Sequence, residues 1–462
     1  MRIKEKFKRS GYFWLPSAPE KKIPGTLSIS DGGNIELEVV GLFDESIEAL
    51  NGKDDLKRIV GHIEKEGFVT LDNCFYKEKN YSFGGISKSL LYVNRILIGV
   101  VFDEGESILI NTFCFSVEGI DEWIGISGIK VDDPFETFTA TISYVPPEEI
   151  SLSLSNGMQL LITFSWTIPG FPITKEAKIT QKTYFKLVST TERELNDFIS
   201  IAHKITTFLC FAIDKTVCLD SVIATSDNIY QDVGNGNKNL VEIRIYYPSL
   251  PYSKDEPKIH RDSMLFRYQQ IQNDAEKIIN NWINAYDQFD PAFSLYFSVK
   301  TGSQKYLDGK FLALVQGLET YHRRKSDEKL MDELEFKELV ENIVSKCPEE
   351  RKEWLEGRLK SGNEINQMQR IKSIIEPFKE FIGTNKERKK IIKSIVDTRN
   401  YLTHYNELLK ENIASGIDLF YLCLKMEAFF QLHFLQVLGF TPDQIKHFFD
   451  NCYELKQKLN KM

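Results

Sequence analysis

The chain has 462 residues, too many for one ordinary core, so two or three domains are expected. At 42% hydrophobic and 27% charged residues, with no long low-complexity tract, it is neither a disordered nor a fibrous chain. A net charge of −8 excludes a protein that presents nucleic-acid-binding charge over its whole surface.

Contact with RNA or DNA would therefore need a local basic patch, such as Arg323-Arg324-Lys325 or Lys386 to Lys390. Each run also reads as a solvated helix face. Seven cysteines are scattered singly without a C-x-x-C pair, which points to reduced thiols and away from disulfides or a zinc site. No apolar h-region follows MRIKEKFKRS, and runs such as Ile96 to Phe102 are far shorter than a bilayer span. The expected location is cytoplasmic, without a membrane partner.

In chain order, GYFWLP (11–16) is an aromatic cluster, read either as a binding surface or as core and edge packing. GTLSISDGGNIELEVVG (25–41) alternates Leu27 and Ile29 against Ile35, Leu37 and Val39 around a Ser-Asp-Gly-Gly turn, a hairpin with one buried face. Short apolar or period-two runs recur at 67–71, 90–102, 107–116, 137–145, 159–167 and 184–188. Such spacing predicts a β-sandwich or open barrel over residues 1–190.

Thr191 to Glu194 reads as a capping box ahead of a helix with Leu195, Phe198, Ile199, Ala202, Ile205 and Leu209 on one face. Strands near 217–224 and 241–247 are expected next, then a helix over 271–286 that stops at Asp290-Pro291. Residues 191–302 are thus a mixed α/β connecting region. From 303 to 462 the pattern is helix after helix. Phe311, Leu312, Leu314, Val315 and Leu318 form one stripe, while Phe336, Leu339, Val340 and Ile343 form a second. Ile371, Ile374, Ile375, Phe378 and Phe381 form a third. Residues 417–440 are apolar on nearly every side, as in a helix buried by its own bundle or by a second subunit. Thr441-Pro442-Asp443-Gln444 caps a last helix. The fold class is α+β: a β-rich N-terminal part, a mixed middle and an all-α C-terminal bundle.

One stretch carries candidate chemistry. In IVDTRNYLTHYN (395–406), on a helix expected from Lys386 to Leu409, Arg399 shares a stripe with Ile391, Ile395, Leu402 and Leu409. A guanidinium there is costly unless paired or opened to a polar cleft. Asn400 and His404 share another face, one turn apart. Five residues at 3.6 per turn leave Arg399 and His404 about 140° apart. One helix therefore cannot aim both at one atom unless Arg399 wraps, the helix distorts near Thr403, or a second copy contributes. The chemistry these residues fit is ribonucleolytic. An imidazole takes the proton of a ribose 2′-OH, and a guanidinium stabilises charge on the attacked phosphate. No metal is required, and no metal-ligand spacing is evident in the sequence. A polar helix face is the plain alternative. Tyr405 and Asn406 could stack on or bond a nucleotide, or simply pack.

At these residues the sequence resembles the HEPN superfamily, and within it the Apea-like HEPN proteins of bacterial anti-phage defence. Arg399-Asn400-Tyr401-Leu402-Thr403-His404 fits that family's R-x4-6-H motif. KFLALVQGLETYHRR (310–324) is similar to its first bundle helix, in which an acid at the place of Glu319 is often near the active site. His322, three residues on, neighbours Glu319 on the helix, an arrangement a surface ion pair also explains. GYFWLP followed by GTLSISDGG resembles the family's N-terminal β-rich domain. The resemblance implies a metal-independent, cofactor-free RNase toxin of abortive infection, commonly acting on tRNA. It also implies a homodimer with facing motif helices, and a phage-derived trigger sensed by the N-terminal domain. A non-catalytic module that binds RNA or nucleotide, or only dimerises, is the competing reading.

Overall fold

The computed structural model describes residues 1–43, 55–82, 85–132, 139–167, 177–234, 238–405 and 407–460. By internal contacts they fall into two compact units, Met1–Ile283 and Asn284–Met462.

The first unit is built on one long antiparallel sheet. Its early strands are β1 (Phe7–Trp14), β2 (Ile23–Ser30), β3 (Asn34–Val39), β4 (Asp55–Ile63), β5 (Gly67–Asn80) and β6 (Lys88–Ile98). They pair in the order β6-β3-β2-β1-β4-β5, and β5 pairs again with β6, so these six close into a barrel. The expected 25–41 hairpin is β2–β3, with Leu27 opposite Leu37 and Ile29 opposite Ile35. All four fill the barrel with Phe13, Ile59, Val69, Leu71 and Val93, as period-two alternation requires. At the turn, Gly32 and Gly33 take φ of 95° and 75°, and a Cβ on Gly33 would lie 2.2 Å from the Tyr247 carbonyl oxygen. In the 11–16 cluster Phe13 and Trp14 are core residues, while Tyr12 faces outward.

Opposite β5, the other edge of β6 is long enough to serve two partners: residues 89–93 pair with β3 and residues 96–98 with a later strand. Through it the sheet continues into β7 (Leu109–Val117) and, after helix α1 (Ile120–Ile124) and the ribbon β8–β9 (Ile129–Asp132, Thr141–Tyr144), into β10 (Ile150–Ser153), β11 (Gln159–Trp166) and β12 (Gln181–Glu194). Of the strand expected over 137–145, residues 137 and 138 lie outside the described set. After helix α2 (Leu195–Ile213) come β13 (Leu219–Thr225), the ribbon β14–β15 (Tyr230–Asp232, Lys238–Leu240) and β16 (Ile243–Tyr246). The open half is ordered β10-β11-β12-β7-β13-β16. Its strands thus include two from the middle of the chain. Helix α2 packs on it through Phe198 against Phe113 and is closed from outside by Trp282, stacked on Phe211 at 5.3 Å. The expected capping box is absent: Thr191 and Glu194 belong to β12, and the N-cap Glu194 makes no side-chain cap bond.

Helix α3 (Tyr268–Ile271) and helix α4 (Ala275–Lys300) follow. The latter does not stop at Asp290-Pro291. It kinks at Phe289 (φ −113°, ψ 17°), two residues before Pro291, and runs on, a proline being accommodated by such a kink.

In the second unit the helices are α5 (Leu307–Lys325), α6 (Glu333–Ser345), α7 (Lys352–Leu359), α8 (Gln367–Ile375), α9 (Asn385–His404), α10 (Gly416–Val437), α11 (Pro442–Asn451) and α12 (Tyr453–Asn460). α5 packs on α10 and α8, and α9 packs on α8 and α5. The stripes at 311–318 and 371–378 are core, each fully buried Leu, Ile or Phe worth roughly 1.5–3 kcal/mol. α10 is buried on most sides by this bundle. Gly317 lets α5 approach α10: a Cβ there would lie 2.8 Å from the Phe430 ring. The stripe at 336–343 is a correction. On α6 only Val344 is buried, while Leu339 and Ile343 are exposed. The cap at Thr441 forms as read, with Thr441 and Gln444 bonding each other's backbone amides.

The architecture is therefore α+β, with a β-barrel-containing N-terminal region and a helical C-terminal region. All seven cysteines are free. Among the described residues no helix is long and apolar enough to cross a membrane.

Candidate active site

Helix α9 starts with a reciprocal cap. The Glu387 carboxylate accepts from the Thr384 amide at 2.6 Å, and the Thr384 hydroxyl accepts from the Glu387 amide at 3.3 Å. Ile392, Ile395 and Thr398 are its buried residues. The Thr398 hydroxyl accepts from the Ala414 amide at 2.9 Å, which ties the chain beyond the helix back to its core face. Arg399, one turn after Ile395, is half-buried, as its place on the stripe requires.

The helix ends earlier than the apolar pattern predicts. His404 is its last residue, Tyr405 turns left-handed (φ 49°, ψ 40°), and Leu409 falls in a separate 3-10 turn over Glu407–Asn412. Polar Thr403 and His404 supply no apolar contact to carry the helix on. The Thr403 hydroxyl instead donates to the Arg399 carbonyl at 2.8 Å.

Nη1 of Arg399 donates to Oδ1 of Asn400 at 3.2 Å. Arg399 makes no ion pair among the described residues, so its charge is available to an incoming anion. His404 is exposed, and no hydrogen bond, ion pair or ring contact engages it among the described residues. Tyr405 is exposed and sets its ring edge-on to Tyr401 at 5.7 Å. Asn406 lies outside the described residues. Because α9 is regular through His404, Arg399 and His404 keep the separation of about 140° that the helical period imposes. The helix places both at one end without converging them.

Glu319 and His322 lie on α5, which packs on α9, but they do not pair with each other. Glu319 Oε1 accepts from Gln367 Nε2 at 2.5 Å. His322 is buried, and its Nε2 lies 3.6 Å from Glu328 Oε2. Burial, then the nearby Arg370 charge, lowers the His322 pKa and favours the neutral ring. Its Nδ1 has no hydrogen-bond partner among the described residues. The surface ion pair that explained these two residues is thus replaced by two separate contacts.

The sequence reading passed over Arg370. This buried arginine of α8 bonds Glu364 at 2.8 Å, and Glu364 also holds Arg323 and Lys329. The signal was present: Arg370 precedes Ile371 on the apolar stripe of α8, the same anomaly that singled out Arg399. A cleft of about 490 Å³ runs beside the N-terminal half of α9, lined by Lys390, Lys393, Asp397, Tyr421 and Lys425 among others, and includes neither Arg399 nor His404. Among the described residues no group of three or more His, Cys, Asp or Glu side chains is placed to hold a metal ion.

Comparison with known families gives two matches. Residues 8–282 match the ApeA N-terminal domain 1, and residues 312–444 match the Apea-like HEPN domain. No curated protein matches the chain. No solved structure matches it either.

Proposed function

This chain belongs to the ApeA-type family with an Apea-like HEPN domain, an anti-phage defence nuclease family, and we propose that it is an RNA endonuclease acting through Arg399 and His404. One observation carries the reading. Among the described residues, a half-buried guanidinium without a carboxylate partner and an unengaged imidazole stand at the same end of one helix, in the domain where the family's R-x4-6-H motif falls.

In this reaction His404 removes the proton from a ribose 2′-OH. The 2′-oxygen then attacks the adjacent phosphorus, and the 5′-oxygen leaves as a hydroxyl, taking the proton that the His404 imidazolium gives up. Arg399 holds the non-bridging phosphate oxygens with its fork of N–H donors as negative charge builds. Asn400, bonded to Arg399, positions the guanidinium. The products are a 2′,3′-cyclic phosphate and a free 5′-hydroxyl, DNA is not a substrate, and no metal takes part. RNA of the tRNA class is the proposed target, toxicity in abortive infection the outcome, and a phage-derived trigger acts through the N-terminal unit.

The separation between Arg399 and His404 is resolved by a homodimer in which each site takes Arg399 from one copy and His404 from the other. Exposed Tyr405, Leu408, Ile417 and Phe420, clustered in sequence just beyond the motif, supply apolar surface for that second copy. The same separation supports a second reading, a non-catalytic module that binds RNA. Purified wild type and His404→Ala, each incubated with RNA and with DNA of one sequence, distinguish the two. The nuclease reading expects cleavage of RNA alone, by wild type alone.

A further inference from the structure

The N-terminal unit contains a polar cleft that the nuclease reading does not use. It lies between the first turns of α2 and the segment that follows β16, with β6 as its floor. Its volume is about 390 Å³, and a smaller pocket of about 170 Å³ adjoins it through the shared residues Arg95 and Asn196. That is the range of small-molecule sites.

Three independent features give it a charge preference. Arg95 is half-buried and makes no ion pair among the described residues. Its cross-strand neighbour Asp72 is already committed, with Oδ1 accepting from Arg58 Nε and Nη2 at 3.2 and 2.9 Å and Oδ2 accepting from Asn73. What Arg95 does have is Asn196 Oδ1, which accepts from its Nη2 at 2.8 Å and aims the guanidinium along the cleft. Burial is the main influence on this group and lowers its pKa, and the nearby Asp72 charge only partly offsets it.

The second feature is the N-terminus of α2, a 19-residue helix whose N-cap makes no side-chain cap bond. The Leu195 amide is taken by the Ile108 carbonyl at 2.9 Å, but Asn196, the next residue of the first turn, lines both pockets beside Arg95, so the positive end of the helix borders the cleft. The third is Ser249. It is 6% exposed, and among the described residues its hydroxyl has no hydrogen-bond partner, which leaves a buried donor free for a ligand. His203 Nδ1 bonds the Leu250 carbonyl at 2.9 Å and fixes the Ser249 segment against the helix. Three carboxylates border the smaller pocket without cancelling this charge: Asp72 is held by Arg58, Glu106 accepts from the Asp103 amide, and Glu194 is exposed.

We propose that this cleft is a binding site for a small phosphate-bearing molecule, whose phosphoryl group sits on Arg95 at the N-terminal end of α2 and accepts a hydrogen bond from Ser249. The remaining volume, bordered by Tyr247 and His203, takes the organic part. The assignment stands apart from the nuclease reading, because its test reads binding alone.

The test is thermal unfolding of the full chain with inorganic phosphate, ribose 5-phosphate or uncharged adenosine, in wild type, Arg95→Gln and Ser249→Ala. Wild type should be stabilised by at least one of the two phosphate-bearing probes, in a concentration-dependent way, and not by adenosine. Arg95→Gln should weaken that response by about tenfold or more, since it removes a charge-assisted contact. Ser249→Ala should weaken it too, while leaving the melting temperature of the free protein unchanged or higher. If Arg95→Gln does not fold, Ser249→Ala alone decides. The proposal is overturned if no phosphate-bearing probe stabilises wild type, if adenosine does so equally, or if the folded variants respond as wild type does.

Discussion

Nη1 of Arg399 donates to Oδ1 of Asn400, its neighbour in sequence, at 3.2 Å. The bond fixes a guanidinium that has no carboxylate partner among the described residues, and in the proposed nuclease Asn400 is then a positioning residue. Arg399→Ala should lower RNA cleavage by about two orders of magnitude or more, the scale of losing one electrostatic donor to the transition state. Asn400→Ala should cost less, roughly tenfold, and mainly in kcat. Equal losses in the two variants would show that Asn400 touches substrate itself.

The separation of Arg399 and His404 on one regular helix makes a sharper prediction. Each single variant, Arg399→Ala or His404→Ala, should be inactive alone. Mixed after dissociation and reassociation, they should recover roughly a quarter of wild-type activity, because half the dimers pair unlike chains and each of these keeps one intact composite site. A mixture as inactive as its parts would mean that each site is built within one chain.

Some of this was legible in the sequence and some was not, for physical reasons. The β2–β3 hairpin was readable because Leu27, Ile29, Ile35 and Leu37 alternate without exception and the turn glycines leave few options. The capping box at Thr441 was readable because its signals are local. The same signal misled at Thr191 to Glu194, where pairing of β12 with β7 keeps those residues in a strand up to Leu195. The apolar spacing on α6 was read as a core stripe, but periodicity does not say what covers a face, and Leu339 and Ile343 are left exposed. The chemistry at 399–404 was visible as residue types. The end of α9 at His404 was missed because Leu409 continued the apolar spacing, while polar Thr403 and His404 and the left-handed Tyr405 stop the helix before it.

Acid should destabilise the helical unit through His433. This ring is buried against Tyr321 and Phe378, with Lys325 and His322 nearby, and its Nε2 donates to the Ile374 carbonyl at 2.9 Å. Burial above all, with the Lys325 charge, pushes its pKa down to about 3. The unfolded chain, with a histidine pKa of about 6.5, binds this proton first. The contribution is therefore complete above pH ~6.5 and is lost as the pH falls from there towards ~3. His322, also lowered, acts in the same direction. Urea unfolding between pH 7.5 and 5 should show falling stability in wild type and a flatter dependence in His433→Gln.

Packing between α5 and α10 depends on Gly317. Replacing it with valine puts side-chain atoms into the space of the Phe430 ring, 2.8 Å from where a Cβ would stand. The expected cost is about 1–3 kcal/mol by denaturant titration. Unchanged stability would mean that the two helices can separate at little cost.

If His404 and Arg399 cleave by 2′-OH attack, added chelator should leave cleavage intact, and the products identify the mechanism. The most direct measurement is end-chemistry mapping of RNA from cells producing wild type or His404→Ala. The account predicts fragments ending in 2′,3′-cyclic phosphate and beginning with 5′-hydroxyl, present with wild type and absent with His404→Ala. Fragments with 3′-hydroxyl and 5′-phosphate ends, or cyclic-phosphate ends that persist in His404→Ala, would contradict it.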